Sequence, residues 1–201
     1  MTRRIVLASS NRGKLAEFNA LLADSGFEVV AQASLGIDDA EETGLTFVEN
    51  ALLKARHAAQ ASGLPALADD SGLCVDQLHG APGLYSARYA GGHGDAAANN
   101  ARLLHELDGV PAAQRSAFFI CTLVLLRRAD DPSPLMVEGR WHGRILESTR
   151  GAQGFGYDPL FLPDGQQLSA AELDPAQKNR LSHRGQALAR LREQLPALRL
   201  P

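Results

Sequence analysis

Two aspartates stand side by side in Ala68-Asp69-Asp70-Ser71-Gly72, and the earlier stretch Ser34 to Gly44 holds Asp38, Asp39, Glu41 and Glu42. Oxygen ligands without a companion cluster of Cys or His suit a hard cation such as magnesium. A carboxylate beside such an ion can also orient and deprotonate a water. The same residue types dominate turns, so Asp69-Asp70-Ser71-Gly72 read alone is equally a polar turn. A second candidate is Ser9-Ser10-Asn11-Arg12-Gly13-Lys14. Backbone donors at a helix start, two hydroxyls, an amide and a lysine make a phosphate cradle. It is not a Walker A loop, because no glycine precedes Gly13 at the required spacing and Leu15 follows Lys14 where Ser or Thr is needed. Its plain alternative is a polar turn with a solvated lysine.

Two further segments could read a base. In Gly154-Phe155-Gly156-Tyr157-Asp158 the glycines allow backbone to approach a ligand and the aromatics can stack on one, although a bend with a core Phe has the same composition. Lys178-Asn179-Arg180-Leu181-Ser182-His183-Arg184 is rich in donors. Cations at a helix start oppose the helix dipole, which makes sense beside an anionic or carbonyl-rich ligand; otherwise this is a solvated helix start. The remaining histidines show no metal-ligand spacing, and no G-x-S-x-G elbow or zinc-type cysteine pair is present.

These segments need elements to hold them. Ile5 to Ala8 reads as a buried strand, followed by a helix with Leu15, Phe18, Leu21 and Leu22 at helical spacing and a second strand, Phe27 to Ala31. Thr46-Phe47-Val48-Glu49 has the capping-box pattern and starts a helix that runs to about Ser62. Pro65 to Leu67 reads as a short strand ending at the aspartates, with Leu73-Cys74-Val75 resuming an extended pattern. This places Asp69 and Asp70 at the rim of a sheet, where α/β folds put their sites. Gly80 to Gly94 reads as a loop and Ala96 to Leu107 as a helix. Ala117 to Arg127 and Leu135 to Trp141 read as strands joined by a turn, extending the sheet as an antiparallel hairpin. Asp174-Pro175 starts a helix, Ser182 caps the last one, and Leu188, Leu191 and Leu195 form its apolar stripe. The fold class is therefore α/β with a mixed sheet.

Composition narrows the partners. The chain of 201 residues carries Lys plus Arg 20 against Asp plus Glu 23, a net charge of -3, which argues against coating a nucleic-acid polymer. Cys74 and Cys121 lie in apolar, strand-like runs and read as buried free thiols. No segment approaches the ~18 apolar residues of a membrane helix, and the apolar run after Arg4 is too short for a signal peptide. A soluble cytoplasmic protein is expected.

Taken together, these residues resemble the inosine/xanthosine triphosphate pyrophosphatase family, the nonstandard purine NTP pyrophosphatases of bacterial type. The carriers are Ser9-x-Asn11-x-x-Lys14, Thr46-Phe47-x-Glu49-Asn50-Ala51-x-x-Lys54-Ala55, Asp69-Asp70-Ser71-Gly72-Leu73, Gly83-x-Tyr85-Ser86-Ala87-Arg88-Tyr89, Gly154-Phe155-Gly156-Tyr157-Asp158-Pro159 and Ser182-His183-Arg184, in the family's order nearly end to end. The resemblance implies one nucleotide pyrophosphatase domain over residues 1–201, with a long twisted mixed sheet, two lobes and a central cleft, and a homodimer. It implies hydrolysis of ITP, dITP and XTP between the α- and β-phosphates, with Mg2+. By the same resemblance Ser9, Ser10, Asn11, Arg12, Gly13, Lys14 and Lys54 hold the triphosphate. Asp70 is the general base and, with Glu41, binds the metal; Glu42 competes with Glu41 for that role, and Asp69 assists it. Ser71, Phe155, Gly156, Tyr157, Asp158, Lys178, His183 and Arg184 surround the nucleoside. The alternatives are a related-fold enzyme for pyrimidine or modified nucleotides and a catalytically silent nucleotide-binding protein.

Overall fold

Ile5 and Leu7 enter one apolar cluster while Val6 and Ala8 enter another, the alternation of a strand buried on both faces. The computed structural model describes residues 3–9, 14–15, 18–19, 22, 26–92 and 94–197. Ser10, Asn11, Arg12 and Gly13 of the expected phosphate loop, and Leu21 of the first expected helix, lie outside the described residues. The strands are β1 (Arg3–Leu7), β2 (Phe27–Ala31), β3 (Ala66–Val75), β4 (Ser116–Leu126), β5 (Leu135–Ile145) and β6 (Phe161–Pro163), in the sheet order β2-β1-β3-β4-β5-β6. Parallel pairing of β1 with β2 and β3, and antiparallel pairing of β5 with β6, make the sheet mixed. The connection 127–134 between the neighbouring strands β4 and β5 is too short for a parallel crossover, so they form the expected hairpin. The helices used below are α1 (Phe47–Ser62), α2 (Ala96–Glu106), α3 (Pro175–Leu181) and α4 (His183–Gln194).

The chain divides into two compact units. The first comprises Met1–Asp70, Cys121–Glu138 and Ala187–Pro201. On one sheet face Leu7, Leu67, Leu123 and Leu125 pack with Phe18, Leu22 and the α4 stripe of Leu188, Leu191 and Leu195. On the other, Ala51, Ala55, Ala58 and Ala59 of α1 pack with Val6, Ala66, Ala68 and Val124. Four alanines on its buried face let this helix lie close to the strands. Lys14, Leu15, Phe18, Asn19 and Leu22 are helical, in line with the expected first helix.

The second unit comprises Ser71–Ile120 and Gly139–Gln186. Its core joins Leu73 and Val75 to Leu103 and Leu107, Trp141, Ile145, Tyr157 and Leu160. Phe119 meets Phe161 edge-on, with ring centroids 4.8 Å apart.

Three readings change. β3 runs without a break from Ala66 to Val75, so Asp69-Asp70-Ser71-Gly72 is strand and not a turn at a strand end. The apolar residues flanking the tetrad on both sides anchor it in two cores, which overrides its turn composition. β5 extends beyond Trp141 to Ile145, and β6, a strand of 3 residues, carries too short a pattern to be read. Among the described residues no helix is long and apolar enough to cross a membrane.

Candidate active site

The acidic loop between β2 and α1 is fixed at several points. Gln32 Nε2 donates to Asp39 Oδ1 at 2.5 Å, and the His57 ring lies 3.0 Å from the Asp38 carbonyl oxygen. Thr46 Oγ1 accepts from the Glu49 amide at 3.3 Å, and Glu49 Oε2 accepts from the Leu45 amide at 2.8 Å, so the expected capping box forms with its return bond shifted one residue upstream. The Thr46 hydroxyl, donating to Glu49 Oε2 at 2.9 Å, and after it the Leu45 amide hold the Glu49 carboxyl below its ordinary value. The Gly44 amide donates to Asn50 Oδ1 at 2.8 Å; a Cβ there would meet that oxygen at 2.7 Å, so the loop closes on α1 only with glycine.

The anchored loop delivers Glu42 to the sheet. Lys54 Nζ, one helical turn beyond Asn50, donates to Glu42 Oε1 at 2.8 Å and to Asp70 Oδ1 at 2.9 Å. Lys14 Nζ contacts Asp69 at 2.9 Å (Oδ1) and 2.7 Å (Oδ2). Both aspartates are buried, Asp69 to 1% exposure and Asp70 to 9%. Burial pushes the Asp70 carboxyl above its ordinary value; Lys54 opposes this, while the charges of Glu42 and Asp69 add to it. Burial also works against the Lys54 ammonium, but the Asp70 charge and the bonds to Asp70 and Glu42 outweigh it and raise its pKa. Glu41 is exposed, and it is Glu42 that the loop brings to Lys54.

The carboxylates of Glu42, Asp69 and Asp70 face the ammonium groups of Lys14 and Lys54, which leaves one negative charge in excess. Among the described residues no three His, Cys, Asp or Glu side chains are gathered into a ready coordination sphere. This donor set fits magnesium, which takes one or two carboxylates and completes its shell with phosphate oxygens and water. Ser9, half-buried just past β1, donates its amide to the Leu7 carbonyl at 2.9 Å, and Ser71 is half-buried within β3.

A second group of residues lies in the second unit. Phe155 is 65% exposed, an unusual position for a large aromatic. Lys178 Nζ lies 5.0 Å and Arg184 Cζ 6.0 Å from its ring centroid. Asp158 is buried and turns inward, accepting from the Phe155 amide at 2.7 Å and from Lys178 Nζ at 2.5 Å. Gly154, at φ +80°, has no room for a Cβ against Asp158 and Lys178. Tyr157 is buried and donates its hydroxyl to the Ser86 carbonyl at 2.9 Å, with its pKa raised by burial, so it packs the loop instead of facing solvent. Ser182 Oγ accepts from the Gly185 amide at 3.1 Å and so caps α4, whose first two residues are His183 and Arg184. The His183 ring stacks on Phe119, with centroids 4.9 Å apart and planes 12° from parallel. Phe119 carries no local signal in its apolar strand, and sequence reasoning missed it.

One unit thus gathers buried carboxylates and lysines, suited to polyphosphate and a divalent cation. The other presents an exposed aromatic flanked by cations, suited to a base. A family model described as Ham1p_like, Ham1 family, matches residues 5–194. The dITP/XTP pyrophosphatase of Xanthomonas campestris pv. campestris is 60% identical over 198 residues, covering 98% of this chain and 100% of the relative. That of Methylococcus capsulatus is 59% identical over 198 residues, covering 98% of each. The solved structure of a HAM1 protein from Coxiella burnetii superposes with a TM-score of 0.94 at 48% identity, covering 98% of this chain and 100% of that one.

Proposed function

Since the chain belongs to the Ham1 family, we infer that it is a hydrolase that converts the deaminated purine nucleotides ITP, dITP and XTP to the monophosphate and pyrophosphate. The observation that supports this best is the Lys54 ammonium held between Glu42 and a buried Asp70 of raised pKa. A raised pKa makes Asp70 a stronger proton acceptor than an exposed aspartate, and it takes the proton from the water that attacks the α-phosphate. Lys14 and Lys54, with Ser9 and, by the family resemblance, Ser10, Asn11, Arg12 and Gly13, hold the phosphates and offset charge on the departing pyrophosphate. Asp70 and Glu42 are the protein ligands for magnesium, which supplies further charge neutralisation when bound.

The base lies against Phe155, with Lys178, His183 and Arg184 as donors for its carbonyl groups. A donor aimed at the 6-oxo group accepts hypoxanthine and xanthine but opposes adenine's 6-amino group, whereas guanine must be refused at its 2-amino group. A buried mismatch of this kind costs about a hundredfold or more. Both cysteines are buried, in keeping with a reducing cytoplasm. The working form is a homodimer, an assignment that rests on the family resemblance.

The deciding experiment incubates the enzyme and magnesium with ITP, dITP, XTP and the natural triphosphates and identifies the products. IMP and pyrophosphate from ITP are expected, with ATP and GTP poor substrates. Release of orthophosphate with IDP as first product would overturn the assignment, and preferential cleavage of pyrimidine triphosphates would replace it.

A further inference from the structure

Asn99 and Asn100 are adjacent on α2 and nearly buried, at 4% and 8% exposure, unusual for amides inside a helix. Adjacent helical residues point about 100° apart, so they serve two different segments. Asn99 Oδ1 accepts from the Ala90 amide at 2.7 Å, and its Nδ2 donates to the Ala87 carbonyl at 3.3 Å, tying down the segment around Tyr89. Asn100 Nδ2 donates to the Gly156 carbonyl at 2.9 Å, immediately after Phe155. Asn100 Oδ1 is buried without a hydrogen-bond partner among the described residues. An orphaned buried acceptor is a cost, so the amide is retained for what its other end does.

We propose that Asn100 is a positioning residue for base recognition, holding the Gly156 carbonyl so that Phe155 stands out from the loop as a stacking platform. Asp158 fixes the Phe155 amide from one side and Tyr157 ties the next residue to Ser86, while Asn100 fixes the peptide between them. Phe155 itself is exposed, so packing does little to set its direction and the backbone on either side must do so. Asn100 acts through Phe155 and touches neither phosphate nor the reacting atoms. The proposal rests on the reading of Phe155 as the base platform.

The test compares ITP with inorganic tripolyphosphate, which has the phosphates and no base. In Asn100→Asp the donor is replaced by an oxygen that repels the Gly156 carbonyl. The expected result is a Kd for ITP raised about tenfold, with the inhibition constant of tripolyphosphate unchanged and KM rising more than kcat falls. Asn100→Leu, which removes the donor without adding a charge, carries the same comparison if Asn100→Asp does not fold. Unchanged ITP affinity, or equal weakening of both ligands, overturns the positioning role. Failure of the underlying reading is distinguishable: a wild-type enzyme that binds ITP no better than tripolyphosphate has no base platform for Asn100 to position.

Discussion

Asp70 is subject to two opposed influences. Burial and the neighbouring carboxylates favour its neutral form, while the Lys54 ammonium at 2.9 Å favours the charged one. The net upward shift places its titration above the ordinary carboxylate value of about 3.9. A base works only when deprotonated, so kcat should fall as pH drops through a value above that of a free aspartate. Asp70→Asn should lower kcat about 10²–10⁴-fold and abolish that acid limb, with a smaller change in Kd for ITP. Lys54→Ala should weaken binding as well as slow turnover, because in the proposed reading Lys54 grips phosphates already charged in the ground state. Measuring kcat and a direct Kd for both variants at saturating magnesium checks this; near-normal turnover of Asp70→Asn would move the base to Asp69 or Glu42.

At the scale of elements, the β4–β5 hairpin is closed by one carboxylate. Asp131 is buried at the turn and accepts from the Arg127 amide at 3.0 Å, from Arg127 Nε at 2.8 Å and from the Ser133 amide at 3.0 Å. The Arg127 bonds are the main cause that holds its pKa well below the usual range. A depressed folded-state pKa means that the stabilisation is fully present above the unfolded value of about 3.9 and is lost as pH falls toward the folded value. Asp131→Asn should therefore lower Tm by about 5 °C at pH 7, and the gap from wild type should narrow below about pH 4. Thermal unfolding across pH 2–8 is the measurement; a gap independent of pH would remove the ion pair as its cause. The Asp130-Asp131-Pro132-Ser133-Pro134 run marks this turn in the sequence, but nothing in it says which aspartate turns inward.

At the scale of the whole molecule, the first unit holds the paired carboxylates and lysines, and the second an exposed aromatic with cationic neighbours. His183→Ala and Arg184→Ala should each reduce the preference for ITP over ATP and GTP while leaving inhibition by tripolyphosphate intact. A substrate panel on both variants tests this, and an unchanged preference ratio would show that the base is read elsewhere. The α/β class, most of the strands, the capping box at Thr46 and the cap at Ser182 were legible in the sequence, because periodicity and cap chemistry are local properties of a few adjacent residues. So were the acidic residues and lysines that the structure brings together around Lys54. What only the tertiary structure decided involves residues far apart in the chain: that Glu42 and not Glu41 meets Lys54, that Phe119 lies under His183, and that Asp158 and Tyr157 turn inward while Phe155 turns out. It also decided that Asp69-Asp70-Ser71-Gly72 is extended, since turn-forming residues give way to a strand when the apolar residues on both sides are fixed in cores. Adjacent glutamates are equivalent to any local rule, and a loop with no periodicity takes its direction from the helix and sheet that anchor it.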